Sequence, residues 1–490
     1  MNIALEDDNA IRQKLSFDRF REEVLTDYKL VCESRETSLL GRKEVLTGKA
    51  KFGIFGDGKE VAQIALAKFF KPGDFRSGYY RDQTVMFATC ISTIEEYFSQ
   101  LFADPQNDPF SSGRQMNAHF ATRLVDDNGE WVDITQTKNS SSDIPPTASQ
   151  MPRAVGLAFA SKMFREVDAI KDLSHLSVNG NEICFCTIGD ASTSEGHFWE
   201  AMNAAGVLQI PLAVFVWDDG YGISVPKSLQ TTKGSISEAL KGLQKKEGTN
   251  GIDIYKLKGW DYAGMCEVLE PAIQKIRDTH TPAIFHVEEL TQPQGHSTSG
   301  SHERYKTPER LRWEKEWDCV RQMKAWLLAN NLANETELAT IELEAKKWVK
   351  ESKQRAWEKY SNQIKSQVNK AILLMEDVAN GQASILSIAS KLKGLQEPMR
   401  KDVLKALQSV IAILGNQSDT AQLNSYYQQL LAESKKFYSS QLYNEGVKSA
   451  LKVTNIAPYY EQDTPTVNGY EILNRYFDQL FATNKKVFAF

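Results

Sequence analysis

Two apolar runs, "ICFCTI" (183–188) and "LAVFVW" (212–217), stand either side of one helix-length stretch, and this spacing restricts the fold more than any other feature of the chain. Short strands that alternate with helices pair in parallel, because each parallel neighbour needs a crossover and a helix supplies it. The pattern continues with the strand "AIFHVEEL" (283–290) and the helical stretches "MPRAVGLAFASKMFREV" (151–167) and "MCEVLEPAIQKIRD" (265–278). The expectation is an α/β fold over residues 1–330, a parallel sheet flanked by helices. Beyond it strand signals vanish, and Val403, Leu404, Leu407, Val410, Ile411 and Leu414 recur at helical spacing. An all-helical connector is predicted over 331–460, ordered because it lacks long Gly/Ser tracts.

With 490 residues, 41% of them hydrophobic, the chain can bury a large core divided among domains. A net charge of -5 argues against a nucleic-acid surface and for small-molecule or protein partners. The six cysteines lack paired metal spacing, and Cys184 and Cys186 lie inside an apolar run where they pack as small hydrophobes. That usage fits a reducing, cytoplasmic setting. The N-terminal "MNIALEDDNAIRQKLSF" carries acids where a signal peptide carries basic residues, and no apolar run reaches the ~18 residues needed to span a bilayer. No membrane partner is expected.

In a parallel sheet, ligands sit beyond the carboxyl ends of the strands, where following helices point their N-terminal amides. Asp190 lies at one such end, with "ASTSEG" entering a helix behind it, so those amides and the Ser192 and Thr193 hydroxyls suit phosphate oxygens. The strand "LAVFVW" delivers Asp219 to the same edge if the unit is a right-handed crossover. Two hard oxygen ligands beside a phosphate make a Mg²⁺ site, since Mg²⁺ takes octahedral oxygen coordination and seldom a full protein cage.

The whole stretch "IGDASTSEGHFWEAMNAAGVLQIPLAVFVWDDGYGIS" (188–224) resembles the thiamine diphosphate motif, which opens on Gly-Asp-Gly and closes on Asn-Asn; "DDGYGIS" stands where that motif has "NNGYAIS". Four further segments widen the likeness: "FKPGDFRSGYYRDQT", "GRQMNAHF", "TASQMPRAVGLAFASK" and "QGHSTSGSHERY". Over about residues 20–330 the chain resembles the α subunit of the thiamine-dependent 2-oxo acid dehydrogenases, the decarboxylating first component of acyl-transferring complexes. The resemblance implies a thiamine diphosphate-binding fold, with thiamine diphosphate and Mg²⁺ as cofactors. It assigns Tyr80, Arg81, Thr147, Gly189, Asp190, Ala191, Ser192, Asp219, Tyr221 and His296 to cofactor binding, with Asp190, Asp219 and Tyr221 as metal ligands and His296 also catalytic. His119 is left open between pocket and core, and His286 reads as structural.

Three positions depart from the pattern. Asp219 replaces an Asn ligand and adds a negative charge that Arg81 or other cations must offset. On this reading Asp219→Asn is tolerated or tightens binding. Ala191 replaces a Gly, and Thr147 stands where relatives carry a larger apolar residue.

The implied reaction is oxidative decarboxylation of a 2-oxo acid, branched-chain or pyruvate, with acyl transfer to a lipoyl group on a partner acyltransferase. A transketolase-type thiamine enzyme and a non-catalytic scaffold are the alternatives. Residues 461–490, "TVNGYEILNRYFDQLFATNKKVFAF" included, resemble the beginning of the β subunit of the same enzymes, an amphipathic helix followed by the strand "KKVFAF". That likeness implies a β-like half as partner and a homo-oligomer when complete.

Overall fold

The computed structural model describes residues 16–415, 420–440, 442–447, 449–487 and 489. Its strands are β1 Phe75–Ser77, β2 Asn139–Ser140, β3 Cys184–Gly189, β4 Leu212–Trp217, β5 Tyr221–Gly222, β6 Val225–Pro226, β7 Asp253–Lys258 and β8 Ala283–Glu288. Six of them form one sheet in the order β2-β1-β3-β4-β8-β7, every neighbouring pair parallel, while β5 and β6 make a small antiparallel hairpin. The expected α/β architecture with a parallel sheet is therefore what the chain adopts.

The apolar runs show no polar alternation because both faces of the sheet are covered. On one face Phe185, Phe215, Phe285 and Tyr255 stack in a row with ring centroids 6.4, 4.6 and 5.1 Å apart. The helices Glu60–Ala67 and Tyr262–Thr279 close over them. On the other face Cys184, Cys186, Val214, Val216 and Ile284 pack beneath the helices Gln150–Glu166 and Gly196–Leu208. Burying each such aromatic contributes roughly 1.5–3 kcal/mol. Cys184 and Cys186 are free thiols within this layer, and burial pushes both well above the usual thiol range.

The helix Glu335–Val378 opens the helical region, its first turn capped by the Asn334 side chain and enriched in acids that suit the helix dipole. Its first part belongs to the α/β body, where Leu338 and Ala345 join the core of the sheet. Val349 and Ala356 then pack with Phe55, Tyr97 and Phe120. Ile364, Val368 and Met375 belong instead to a separate apolar cluster shared with the helices Ala383–Lys393, Arg400–Leu414 and Ala421–Ser439. Within that cluster lie Val403, Leu407, Val410 and Leu414 of the periodic stretch, with Leu404 and Ile411 half-buried against it.

The helix Gly469–Thr483 buries no residue, and Tyr470, Leu473 and Phe477 remain 62, 59 and 45% exposed. The strand expected over 485–490 does not form across Lys485–Val487, which make a turn; Phe488 and Phe490 lie outside the described residues, as does most of the acidic N-terminal stretch. Among the described residues no helix is long and apolar enough to cross a membrane.

Candidate active site

A cavity of about 390 Å³ opens beyond the carboxyl ends of β1, β3, β4 and β8. It lies where the strand order reverses, since β2 is added on one side of β1 and β3 on the other. Tyr80, Arg81, Thr147, Gly189, Asp190, Ala191, Ser192, Asp219, Tyr221 and His296, the residues singled out from the sequence, all line this one cavity. Tyr79, Trp217, Gln230, Gln292, Tyr305 and Lys306 are also part of its wall.

The turn after β1 carries Tyr79, Tyr80 and Arg81, and a buried charge cluster holds it in place. Arg76 donates to the Asp82 carboxylate (Nε–Oδ2 2.8 Å) and to Asp143 (3.1 Å), with all three side chains fully buried. Asp82 also accepts from Thr187 Oγ1 and from the Trp217 indole N–H at 3.2 Å, so one carboxylate joins β1, β3 and β4 below the cavity.

Asp190 directly follows β3, and its N–H extends the ladder by donating to the Trp217 carbonyl at 3.1 Å. Its Oδ2 is buried with no hydrogen-bond partner among the described residues. Burial first, and then the Asp219 and Asp218 carboxylates, push Asp190 well above the usual carboxylate range. Asp219 behaves oppositely. Burial alone would raise it, but the Lys59 ammonium, bonded at 2.8 Å, and the Arg81 guanidinium outweigh that and hold it below its ordinary value. The offsetting charge that Asp219 requires comes chiefly from Lys59, a residue the sequence reading passed over. Asp218 faces away from the cavity into a network with His286 (2.9 Å) and Lys227 (2.8 Å), while Ser237 bonds the other His286 nitrogen at 3.0 Å. His286 is thus structural, orienting the end of β4.

Arg81 is buried and donates to the Phe55 carbonyl (2.6 Å), the His296 carbonyl (2.9 Å) and His296 Nδ1 (3.0 Å). A guanidinium has five N–H groups and no acceptor, so His296 Nδ1 must accept and Nε2 must carry the ring proton. Burial, reinforced by the Arg81 charge, lowers the His296 pKa to about 4. His280, buried at the end of Tyr262–Thr279 with Nε2 donating to the Gly180 carbonyl at 2.9 Å, is also lowered to about 4, mainly by burial. Both rings are more acidic folded than unfolded. Their contribution to stability is therefore present above about pH 6.5 and lost as pH falls towards 4. Urea midpoints measured between pH 7 and 4.5 should fall, and His280→Asn, which suits the left-handed backbone there (φ 54°), should flatten that decline.

Other expectations are altered. The Gly-Asp turn leads into the 3₁₀ turn Ala191–Ser194, and the helix starts later, at Gly196. Ser192 lines the cavity, but Thr193 is buried and spends its hydroxyl on the Asp190 carbonyl at 2.6 Å, so it is a brace and not a phosphate donor. Ala191 does not need a left-handed backbone; the close approach falls on Gly222, where an added Cβ would stand 2.7 Å from the Ala191 methyl and 2.5 Å from Gln230 Oε1. Thr147 sits exposed at the rim, its carbonyl accepting from His197 Nε2 at 2.8 Å. His119 does not line the cavity; it is a core histidine whose backbone N–H donates to Gln100. Lys306, paired with buried Glu314 at 2.7 Å, and Arg310 flank the Tyr221 ring.

A site with an unpaired buried carboxylate oxygen, a second carboxylate, a hydroxyl and spare guanidinium donors fits an anionic phosphate ester bound with a hard divalent cation. Its volume lies in the ~300–1,000 Å³ range of small-molecule sites.

A model of the dehydrogenase E1 component family matches residues 37–365. The chain is 25% identical over 360 residues to the mitochondrial 2-oxoisovalerate dehydrogenase subunit alpha of Mus musculus, covering 73% of this chain and 71% of that one. It is 28% identical over 330 residues to 2-oxoisovalerate dehydrogenase subunit alpha of Bacillus subtilis, 66% and 88% of the two chains. With the pyruvate dehydrogenase E1 component subunit alpha of Rickettsia bellii the identity is 29% over 205 residues, 42% of this chain and 56% of that one.

Proposed function

Because the chain belongs to the dehydrogenase E1 component family, we propose that it is the diphosphate-holding half of a thiamine diphosphate-dependent 2-oxo acid dehydrogenase. It takes part in oxidative decarboxylation of a branched-chain 2-oxo acid or pyruvate, with acyl transfer to a lipoyl group of a partner acyltransferase. The observation that carries the reading is the meeting of Asp190, with its unpartnered buried oxygen, Asp219, Arg81 and His296 on one cavity wall.

Thiamine diphosphate, when bound, supplies the nucleophilic carbon and the electron sink for loss of CO₂. Asp190, Asp219 and an oxygen of Tyr221 would hold Mg²⁺, whose charge offsets the diphosphate. The remaining Arg81 donors, the Ser192 hydroxyl and Tyr80 would hold the diphosphate, while Gly189, Ala191 and Thr147 bound the cavity. His296, neutral near pH 7 with its proton on Nε2, offers one hydrogen-bond donor to the reacting groups and adds no positive charge.

The exposed apolar face of Gly469–Thr483 supports a β-like half as the partner that covers the rest of the cofactor. Calorimetric titration of thiamine diphosphate with and without Mg²⁺ tests the site, and decarboxylation assays across pyruvate and branched-chain 2-oxo acids, with a β-type half supplied, test the reaction. Absence of Mg²⁺-dependent binding would favour the scaffold alternative. His296→Ala should lower reduction of a lipoylated domain by ~100-fold or more. Its unfolding midpoint should stay near the wild-type value, because a half-buried loop side chain contributes little core packing.

A further inference from the structure

Lys59 occupies the turn into Glu60–Ala67 and is 1% exposed, an unusual place for an ammonium. Gly58 brings it there. With φ at 88°, Gly58 lies so close to the loop after β8 that an added Cβ would stand 2.1 Å from the Thr291 carbonyl oxygen. The ion pair of Glu60 with Arg35, Nε–Oε1 at 2.7 Å, fixes the other side of the turn.

An ammonium has three N–H donors, and all of Lys59's are spent: on Asp219 Oδ2 at 2.8 Å, on the Thr291 carbonyl at 2.8 Å and on Gln292 Oε1 at 2.6 Å. None remains for a bound phosphate, so Lys59 acts through Asp219. The Asp219 Oδ1 accepts from the Tyr221 N–H at 3.2 Å, which fixes the carboxylate plane from the opposite side. Arg310 donates to the Asp219 carbonyl at 2.6 Å and pins the backbone.

We propose, on the strength of the cofactor site argued above, that Lys59 is a positioning residue that joins Asp219 to form one electrically neutral ligand unit. Without the ammonium, Asp190, Asp219 and an anionic diphosphate would crowd like charges into one buried space. With it, the Asp219 carboxylate is oriented and its charge cancelled, which leaves Asp190 as the uncompensated acid. The pair is then exchangeable for a neutral one but not divisible. Asp219→Asn alone leaves a buried ammonium facing an amide, which reverses the tolerance expected from the sequence pattern. Lys59→Gln alone leaves the second acid uncompensated.

The test measures binding of thiamine diphosphate at varied Mg²⁺ on the full chain, by calorimetry and tryptophan quenching, with thermal unfolding in parallel. K59Q and D219N should each weaken binding by ~10–100-fold, the cost of removing the partner that orients a metal ligand. The K59Q/D219N double variant should return to within about threefold of wild type, because a neutral amide pair replaces a neutral ion pair. A double variant as weak as the product of the singles, or one that fails to fold, overturns the proposal. So does a K59Q chain that binds as well as or better than wild type, since Lys59 would then be competing with the metal for Asp219. A wild-type chain with no Mg²⁺-dependent binding would remove the cofactor reading and this inference together, whereas binding without rescue removes this inference alone.

Discussion

Asp190→Asn is expected to weaken Mg²⁺-dependent binding of thiamine diphosphate by ~100-fold or more and to leave the ligand-free chain at least as stable as wild type. The two effects share one cause. Asp190 Oδ2 is buried without a partner, and its neighbours include the carboxylates of Asp218 and Asp219. An unsatisfied buried charged group costs ~1–3 kcal/mol or more, a cost that a bound cation removes. An amide at this position is cheaper to bury and a poorer ligand, so stability rises where function is lost. Calorimetry at saturating Mg²⁺ gives the first effect, and urea unfolding of the ligand-free chain gives the second. Retained affinity, or clear destabilisation of the ligand-free chain, would dismiss Asp190 as the metal ligand.

Asp82→Ala should destabilise the chain by ~3–5 kcal/mol, the range for removing one partner of a buried ion pair. The Asp82 carboxylate serves Arg76, the Thr187 hydroxyl, the Trp217 indole and, at 3.3 Å, the Tyr79 N–H. Its loss leaves Arg76 with Asp143 as its remaining carboxylate and the Trp217 N–H buried without an acceptor. Because Tyr79–Arg81 hang from the same carboxylate, cofactor affinity should fall with stability, unlike the opposed effects expected at Asp190. Equilibrium unfolding in urea measures the difference, and a loss below ~1 kcal/mol would mean the cluster relaxes onto Asp143.

The two predictions separate parts of the site that differ in visibility. Asp190 stands at the end of a strand and could be found from the pattern of an apolar run, a turn and a helix. Asp82 follows Arg81 in a quoted motif, but it is one acid among 63 Asp and Glu residues and its neighbours in sequence do not show which groups it binds. Its role comes from side chains on three strands, the farthest of which, Trp217, lies 135 positions away.

The sequence by itself determined the parallel sheet, because uninterrupted apolar runs separated by helices can be buried in few ways. It also determined which strand ends would carry chemistry, since Asp190, Asp219, Arg81 and His296 each follow an apolar strand or a specific motif. Tertiary structure alone decided how their charges are balanced. Lys59 lies 160 residues from Asp219, and its helix begins far from the acidic motif, yet the fold places its ammonium 2.8 Å from that carboxylate. His119 follows a motif as specific as that of His296, but it faces the core while His296 meets Arg81, 215 positions away. Thr193 offers the same hydroxyl as Ser192 and is spent on a turn of its own backbone. Local pattern fixes which element a residue belongs to and which strand end it follows, whereas an electrostatic partner is chosen by proximity in space, and burial makes that choice energetically decisive.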